Sequence, residues 1–141
     1  MNAKMKIPEG VTVLVDTNPI IYLFENNPLA SRFSFVFEAV ENGYIQALVT
    51  PITLSEVVSG PLKNGNEALA EKYRQVLTNS AGWKLREIDG DIAVLAARIR
   101  LQHRLKLPDA IQLATALHEG CYALVSHDRD FKDIQNIRIF S

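Results

Sequence analysis

Apolar residues fall along this chain in two alternating rhythms. Short, nearly continuous aliphatic runs, the pattern of strands buried on both faces, alternate with longer segments whose apolar positions recur every three or four residues, the pattern of amphipathic helices. Val11-Thr12-Val13-Leu14-Val15 predicts strand one. Thr17 or Asn18 can cap the helix that follows through Ile20 to Phe24, and Pro19 suits its first turn, where a missing N–H costs nothing. A second helix is predicted from about Ser31 to Asn42, with Phe33, Phe37 and Val40 as its apolar face and Gly43 as its stop. Ile45 to Val49 predicts strand two, and Thr50-Pro51 opens a short helix carrying Leu54, Glu56 and Val57 that ends near Ser59-Gly60-Pro61. Gly60 to Asn66 reads as a connection or flap, followed by a polar helix from about Glu67 to Leu77 and by strand three at Trp83 to Ile88. Asp89 can cap a long helix built on Ile92, Leu95, Ala96 and Ile99, which Leu107-Pro108-Asp109 breaks to start another at Ala110 to His118, closed by Gly120. Tyr122 to Val125 predicts strand four, and Ile137 to Phe140 a fifth, edge strand beyond the loop Ser126 to Phe131. This alternation predicts a parallel α/β sheet with helices on its faces.

Composition narrows the class. With 141 residues, 48% of them apolar and 22% charged, the expectation is one globular domain with a core large enough to need no disulfide or metal staple. The single cysteine, Cys121, excludes a disulfide framework and points to a reducing, cytoplasmic setting, with Cys121 itself as a small buried hydrophobe. No apolar run reaches the length of a membrane span, because Val11 to Val15 stops at Asp16 and Ile20 to Phe24 stops at Glu25. Residues 1 to 10, where Pro8, Glu9 and Gly10 follow Lys4 and Lys6, read as a short lead-in and not as a signal peptide. Fifteen Lys and Arg against sixteen Asp and Glu give a net charge of −1, which on its face argues against a nucleic-acid partner.

The positions of the acids change that picture. In an open parallel sheet, ligands bind outside the carboxyl ends of the strands. Asp16 directly follows strand one, Asp128 and Asp130 follow strand four, Asp109 opens the helix leading into strand four, and Glu56 lies one turn past strand two. Singly, most have ordinary explanations: Asp109 complements a helix dipole, Asp128 and Asp130 are loop residues, Glu56 is a solvated helix position. Asp16 is harder to dismiss, because a carboxylate ending a buried strand needs a partner or a metal. Two carboxylates about 4 Å apart repel by roughly 4 kcal/mol at an effective dielectric near 20, so a cluster of them does not assist folding. A hard divalent cation compensates it, and oxygen-only ligands suit Mg²⁺ or Mn²⁺. His103, His118 and His127 form no i, i+4 pair and no cysteine cluster exists, which argues against zinc.

Four stretches, in this order, resemble the motifs of PIN-domain nucleases and in particular the VapC-like toxins of type II toxin–antitoxin pairs. They are Leu14-Val15-Asp16-Thr17-Asn18, Leu54-Ser55-Glu56-Val57, Leu107-Pro108-Asp109-Ala110 with Gln112-Leu113-Ala114-Thr115-Ala116, and Leu124-Val125-Ser126-His127-Asp128-Arg129-Asp130-Phe131. The resemblance spans residues 11 to 131. It implies a three-layer α/β/α fold around a mostly parallel sheet of four or five strands, and a Mg²⁺- or Mn²⁺-dependent endoribonuclease. The catalytic and metal-holding acids it implies are Asp16, Glu56, Asp109 and Asp128, with Asp130 more peripheral. Thr17 and Asn18 match the polar pair after the first acid, and Ser126 keeps the hydroxyl that precedes the last acid by two positions. It further implies water as the nucleophile, 5′-phosphate and 3′-hydroxyl product ends, an antitoxin protein partner lying over the helices beside the site, and a homodimer. The apolar helices after Ser31 and the connection Gly60 to Asn66 are the expected antitoxin contacts.

Substrate grip is expected from basic residues: Arg100 and Arg104, four apart on one helix face and near Lys106, and Arg129 and Lys132 flanking the last motif. Trp83 and Tyr73 could stack bases, but core packing is the expected use of each. Rival readings lack their signatures. A dehalogenase-like module wants Asp-x-Asp where this chain has Asp16-Thr17-Asn18, and no glycine-rich phosphate loop is present. A non-toxin RNA-processing nuclease and a non-catalytic PIN-like module stay as alternatives, the second disfavoured by the intact acid set. If the five acids share one pocket, eleven of the sixteen remain elsewhere against fifteen basic residues, an excess of four positive charges that no longer argues against a polyanion.

Overall fold

Alternate residues of each central strand face opposite ways, and this chain uses both faces. The computed structural model describes residues 7–141, so Lys4 and Lys6 of the lead-in lie outside the described residues, while Ile7 already packs into the core. Strand β1 (Thr12–Val15), β2 (Gln46–Val49) and β4 (Ala123–Val125) form the buried centre of a five-stranded sheet, with β3 (Trp83–Leu85) and β5 (Arg138–Phe140) at its edges. The order is β3-β2-β1-β4-β5 and every pairing is parallel.

Val13, Val15, Ala47, Val49, Ala123 and Val125 point to one side, where they meet helices α1 (Thr17–Phe24), α2 (Ser34–Glu41), α3 (Pro51–Lys63) and α4 (Glu67–Asn79) through Ile20, Val36, Val40, Val57 and Leu77. Leu14, Leu48 and Leu124 point to the other, against α5 (Gly90–His103) and α6 (Leu107–His118) through Ile92, Ala96, Ala110 and Leu113. The result is the three-layer α/β/α arrangement.

Several boundaries differ from the sequence pattern. Gly60 to Asn66 is not a loop throughout: α3 runs on to Lys63, with Pro61 buried inside it. Pro61 lies within one turn of the helix end, where a single lost backbone bond is tolerated, and the stop is Gly65, at φ +73°. The helix expected from Ser31 starts at Ser34 and is preceded by a 3-10 helix, Pro28–Phe33, capped by the Asn27 side chain accepting from Leu29 N–H. Strand β3 ends at Leu85 instead of Ile88, with one more bond from Arg86 N–H to the Val49 carbonyl. Asp89 caps α5 as expected, accepting from Ile92 N–H at 3.0 Å. Trp83 stacks on Phe37 and Tyr73 on Phe24, so both serve packing. Buried Cys121 has its thiol pushed up to about 12 by that burial, which leaves it an inert apolar group. Among the described residues, no helix is long and apolar enough to cross a membrane.

Candidate active site

The strand order places the site. Chain order runs from β1 outward to β2 and β3 on one side and through β4 to β5 on the other, so the direction of winding switches between β1 and β4. At such a point the flanking loops diverge and leave a crevice beyond the strand ends. Asp16 stands immediately after β1, its N–H bonded to the Val125 carbonyl of β4 at 2.8 Å, and Ser126 to Asp130 follow β4.

Asp16 occupies the N-cap position of α1 without capping it, since both its oxygens are engaged elsewhere. Oδ1 accepts from Gln112 Nε2 at 3.0 Å and Oδ2 from Ser126 Oγ at 2.7 Å. Those two bonds satisfy a carboxylate that is only 7% exposed. Ser126 Oγ also accepts from Asp128 N–H at 3.0 Å, and Asp128 Oδ1 accepts from Asp130 N–H at 2.8 Å. One line of hydrogen bonds thus runs Gln112, Asp16, Ser126, Asp128, Asp130, and fixes the loop after β4 against the end of β1.

Asp109 faces that loop from the first turn of α6. Carboxylate oxygens of Asp109, Asp128 and Asp130 all lie within 4.8 Å of one another. Burial, then the negative charges of Asp128, Asp16 and Asp130, push the Asp109 carboxyl up to about 7, with a hydrogen bond to Asp130 adding to the shift. Four carboxylates therefore share one crevice that does not compensate their charge. Oxygen donors at this spacing suit a hard divalent cation such as Mg²⁺ or Mn²⁺.

The remaining sequence candidates are distributed around this centre. Asp130, which the motif resemblance makes peripheral, belongs to the three-acid group. Glu56 does not: it is exposed on α3, where its Oε1 accepts from Thr17 Oγ1 at 2.6 Å, tying α3 to α1. Asn18 is exposed on the first turn of α1. Arg129 lies on the wall of a cavity of about 610 Å³ that Asp128 also lines, with His127 and Lys132. Arg100, on α5, and Arg104, which follows α5 in the left-handed conformation at φ +55°, instead border a different cavity, with Ala97, Leu101 and Leu105. Sequence reasoning missed the work of Gln112, whose amide donates to Asp16 and to Thr53 Oγ1 at 2.7 Å and accepts from Thr50 Oγ1 at 2.6 Å. The signal was there: a Gln inside the apolar run Ala110 to Ala116, 1% exposed, needs polar partners.

The sequence profile of the PIN domain matches residues 13–137, which takes in every residue of this crevice. The chain belongs to the PIN domain family. Solved structures agree with the fold. A toxin–antitoxin complex from Klebsiella pneumoniae contains a chain 31% identical, with 89% of this chain and 94% of that one covered at a TM-score of 0.70. VapBC2 of Rickettsia felis, solved bound to a DNA fragment from its promoter, is 16% identical over 91% of this chain and 96% of that one, with a TM-score of 0.71. VapC20 of Mycobacterium tuberculosis, described as a toxin that cleaves the sarcin–ricin loop, is 14% identical over 85% and 92%, with a TM-score of 0.67. A comparison with curated protein sequences gives no match.

Proposed function

We propose that this PIN domain is a Mg²⁺- or Mn²⁺-dependent endoribonuclease and the toxin of a toxin–antitoxin pair. The observation that carries the reading is the convergence of Asp109, Asp128 and Asp130 beside the hydrogen-bonded carboxylate of Asp16. The 31% identity to a chain of a toxin–antitoxin complex supports the toxin role and a protein antitoxin as partner. A homodimer is the expected assembly.

Asp109, Asp128 and Asp130 would hold the ion. When bound, a divalent ion supplies charge to the phosphoryl oxygens and acidifies a water for in-line attack at phosphorus. Asp16, held in place by its two donors, adds a carboxylate to the ion's surroundings. Ser126, by bonding Asp16 and the Asp128 backbone together, holds two acids from different strands at a fixed separation. Glu56 and Thr17 act as a bonded pair that ties α3 to α1. The overall step joins the water oxygen to phosphorus, breaks the bond to the 3′ oxygen and delivers a proton to it, leaving a 5′-phosphate and a 3′-hydroxyl.

The test is incubation of a mixed pool of structured RNAs with the protein and Mg²⁺ or Mn²⁺, beside Asp16→Ala and Asp109→Asn. Cleavage by the wild type alone, with 5′-phosphate ends, is expected. Equal cleavage by the variants, or none by any form at any metal concentration, overturns the nuclease reading.

A further inference from the structure

We infer that the cleft between Arg32 and the Arg129–Lys132 segment is a phosphate-binding channel that carries the RNA strand away from the acidic centre, an assignment that rests on the nuclease reading above. The cavity of about 610 Å³ after β4 is lined by Arg32, His127, Asp128, Arg129 and Lys132, with Ser141 beside them. Asp128 belongs both to this cavity and to the three-acid group, so the two sites are continuous.

Three cations converge there, and among the described residues none of them forms a salt bridge; the ion pairs belong to Arg74 and Arg86. Cations gathered without carboxylate partners, next to a cluster of carboxylates without cations, are oriented for a polyanion that meets both. Arg32 comes from a part of the chain that carries no motif, and packing puts it here. It is the penultimate residue of the 3-10 helix, whose last residue, Phe33, is fully buried. Phe33 sits edge-on to His127 at 6.0 Å between ring centres, and His127 Nδ1 is hydrogen-bonded to Tyr22 Oη at 2.8 Å. Phe33, Tyr22 and His127 thereby clamp the 3-10 helix to the loop after β4, and Arg32 lines the same cleft as Arg129. By contrast, the cavity at Arg100 and Arg104 shares no lining residue with the acidic site and is walled by Leu101 and Leu105.

The test is RNA binding in an Asp109→Asn background, which separates binding from cleavage. Fluorescence anisotropy with a labelled pool of structured RNAs is measured across a salt series in Mg²⁺, for the parent, for Arg32→Gln with Lys132→Gln, for Arg32→Lys, and for Arg100→Gln with Arg104→Gln. The cleft double variant is expected to bind roughly tenfold more weakly, with a salt slope smaller by about two, one for each lost phosphate contact. Arg32→Lys should keep the parent's slope, and the α5 double variant should bind within about twofold of the parent. Unchanged binding by the cleft variant, or equal weakening by the α5 variant, overturns the channel. If wild-type protein still cleaves RNA in that case, the channel alone has failed; if it neither cleaves nor binds RNA, the nuclease reading has failed and the channel with it.

Discussion

Gln112 holds the site together at the scale of single residues. Its amide group reaches Asp16, Thr50 and Thr53 from the middle of a buried helix. Gln112→Leu keeps the size but leaves two buried hydroxyls and a carboxylate oxygen without this partner. Buried groups left unsatisfied cost about 1–3 kcal/mol each, so a loss of about 3 kcal/mol or more in denaturant unfolding is expected, together with reduced RNA cleavage as Asp16 loses its orientation. Asp109 shows the opposite behaviour, a residue held where it does not assist folding. In an unfolded chain its carboxyl ionises near 3.9, whereas in the metal-free fold it ionises at about 7. Between those values the folded state keeps a proton that the unfolded state has released, so metal-free stability falls as pH rises from about 4 to 7. Asp109→Asn removes that slope and is expected to raise the metal-free melting temperature at pH 8. Proton competition at the same carboxyl predicts that Mn²⁺ binding to the wild type, followed by calorimetry, weakens as pH falls from 8 to 6. No change in either measurement would show that Asp109 ionises normally.

Elements were legible where a local pattern decided them. Strands β1, β2 and β4 are aliphatic runs buried on both faces, and Asp89 and Gly120 marked real helix boundaries. The pattern failed where local signals compete with packing. Gly60 and Pro61 look like a loop, yet burial of Pro61 carries α3 one further turn, and Gly65 rather than Gly60 takes the left-handed stop. Gly82, before β3, was not singled out by sequence, but its φ is +85° and an added Cβ would lie 2.9 Å from Val40 Cγ1 and 3.1 Å from the Val40 carbonyl oxygen. Gly82→Ala is therefore expected to cost about 1–3 kcal/mol by combining backbone strain with a clash against backbone. Thermal unfolding checks it, and a variant as stable as the parent would mean that α2 and β3 can separate there freely. The acids were readable because each stands beside a strand end or helix start. Gln112, 96 positions from Asp16, and Arg32, placed by Phe33, were not, since long-range packing alone gives them their roles.

Across the whole molecule, the near-zero net charge is an average over two unlike regions. Asp16, Asp109, Asp128 and Asp130 are gathered at the β1–β4 crevice, with Arg32, Arg129 and Lys132 beside them. The three-layer packing rigidifies both regions, since Val13 and Val15 anchor the sheet to one helical layer and Leu14 to the other. A preorganised cluster of like charges keeps its repulsion until a cation arrives, and on the proposed reading this couples function to metal. The most direct measurement is the single-turnover rate of RNA cleavage as a function of Mn²⁺ concentration, for the wild type and for Asp128→Asn. The wild-type rate should rise to saturation with Mn²⁺ and vanish in excess EDTA, while Asp128→Asn should be slower by a factor on the order of 10² or more at every concentration, as removal of a metal-holding carboxylate requires. Cleavage that persists in EDTA, or an Asp128→Asn curve that overlays the wild type, would contradict the account.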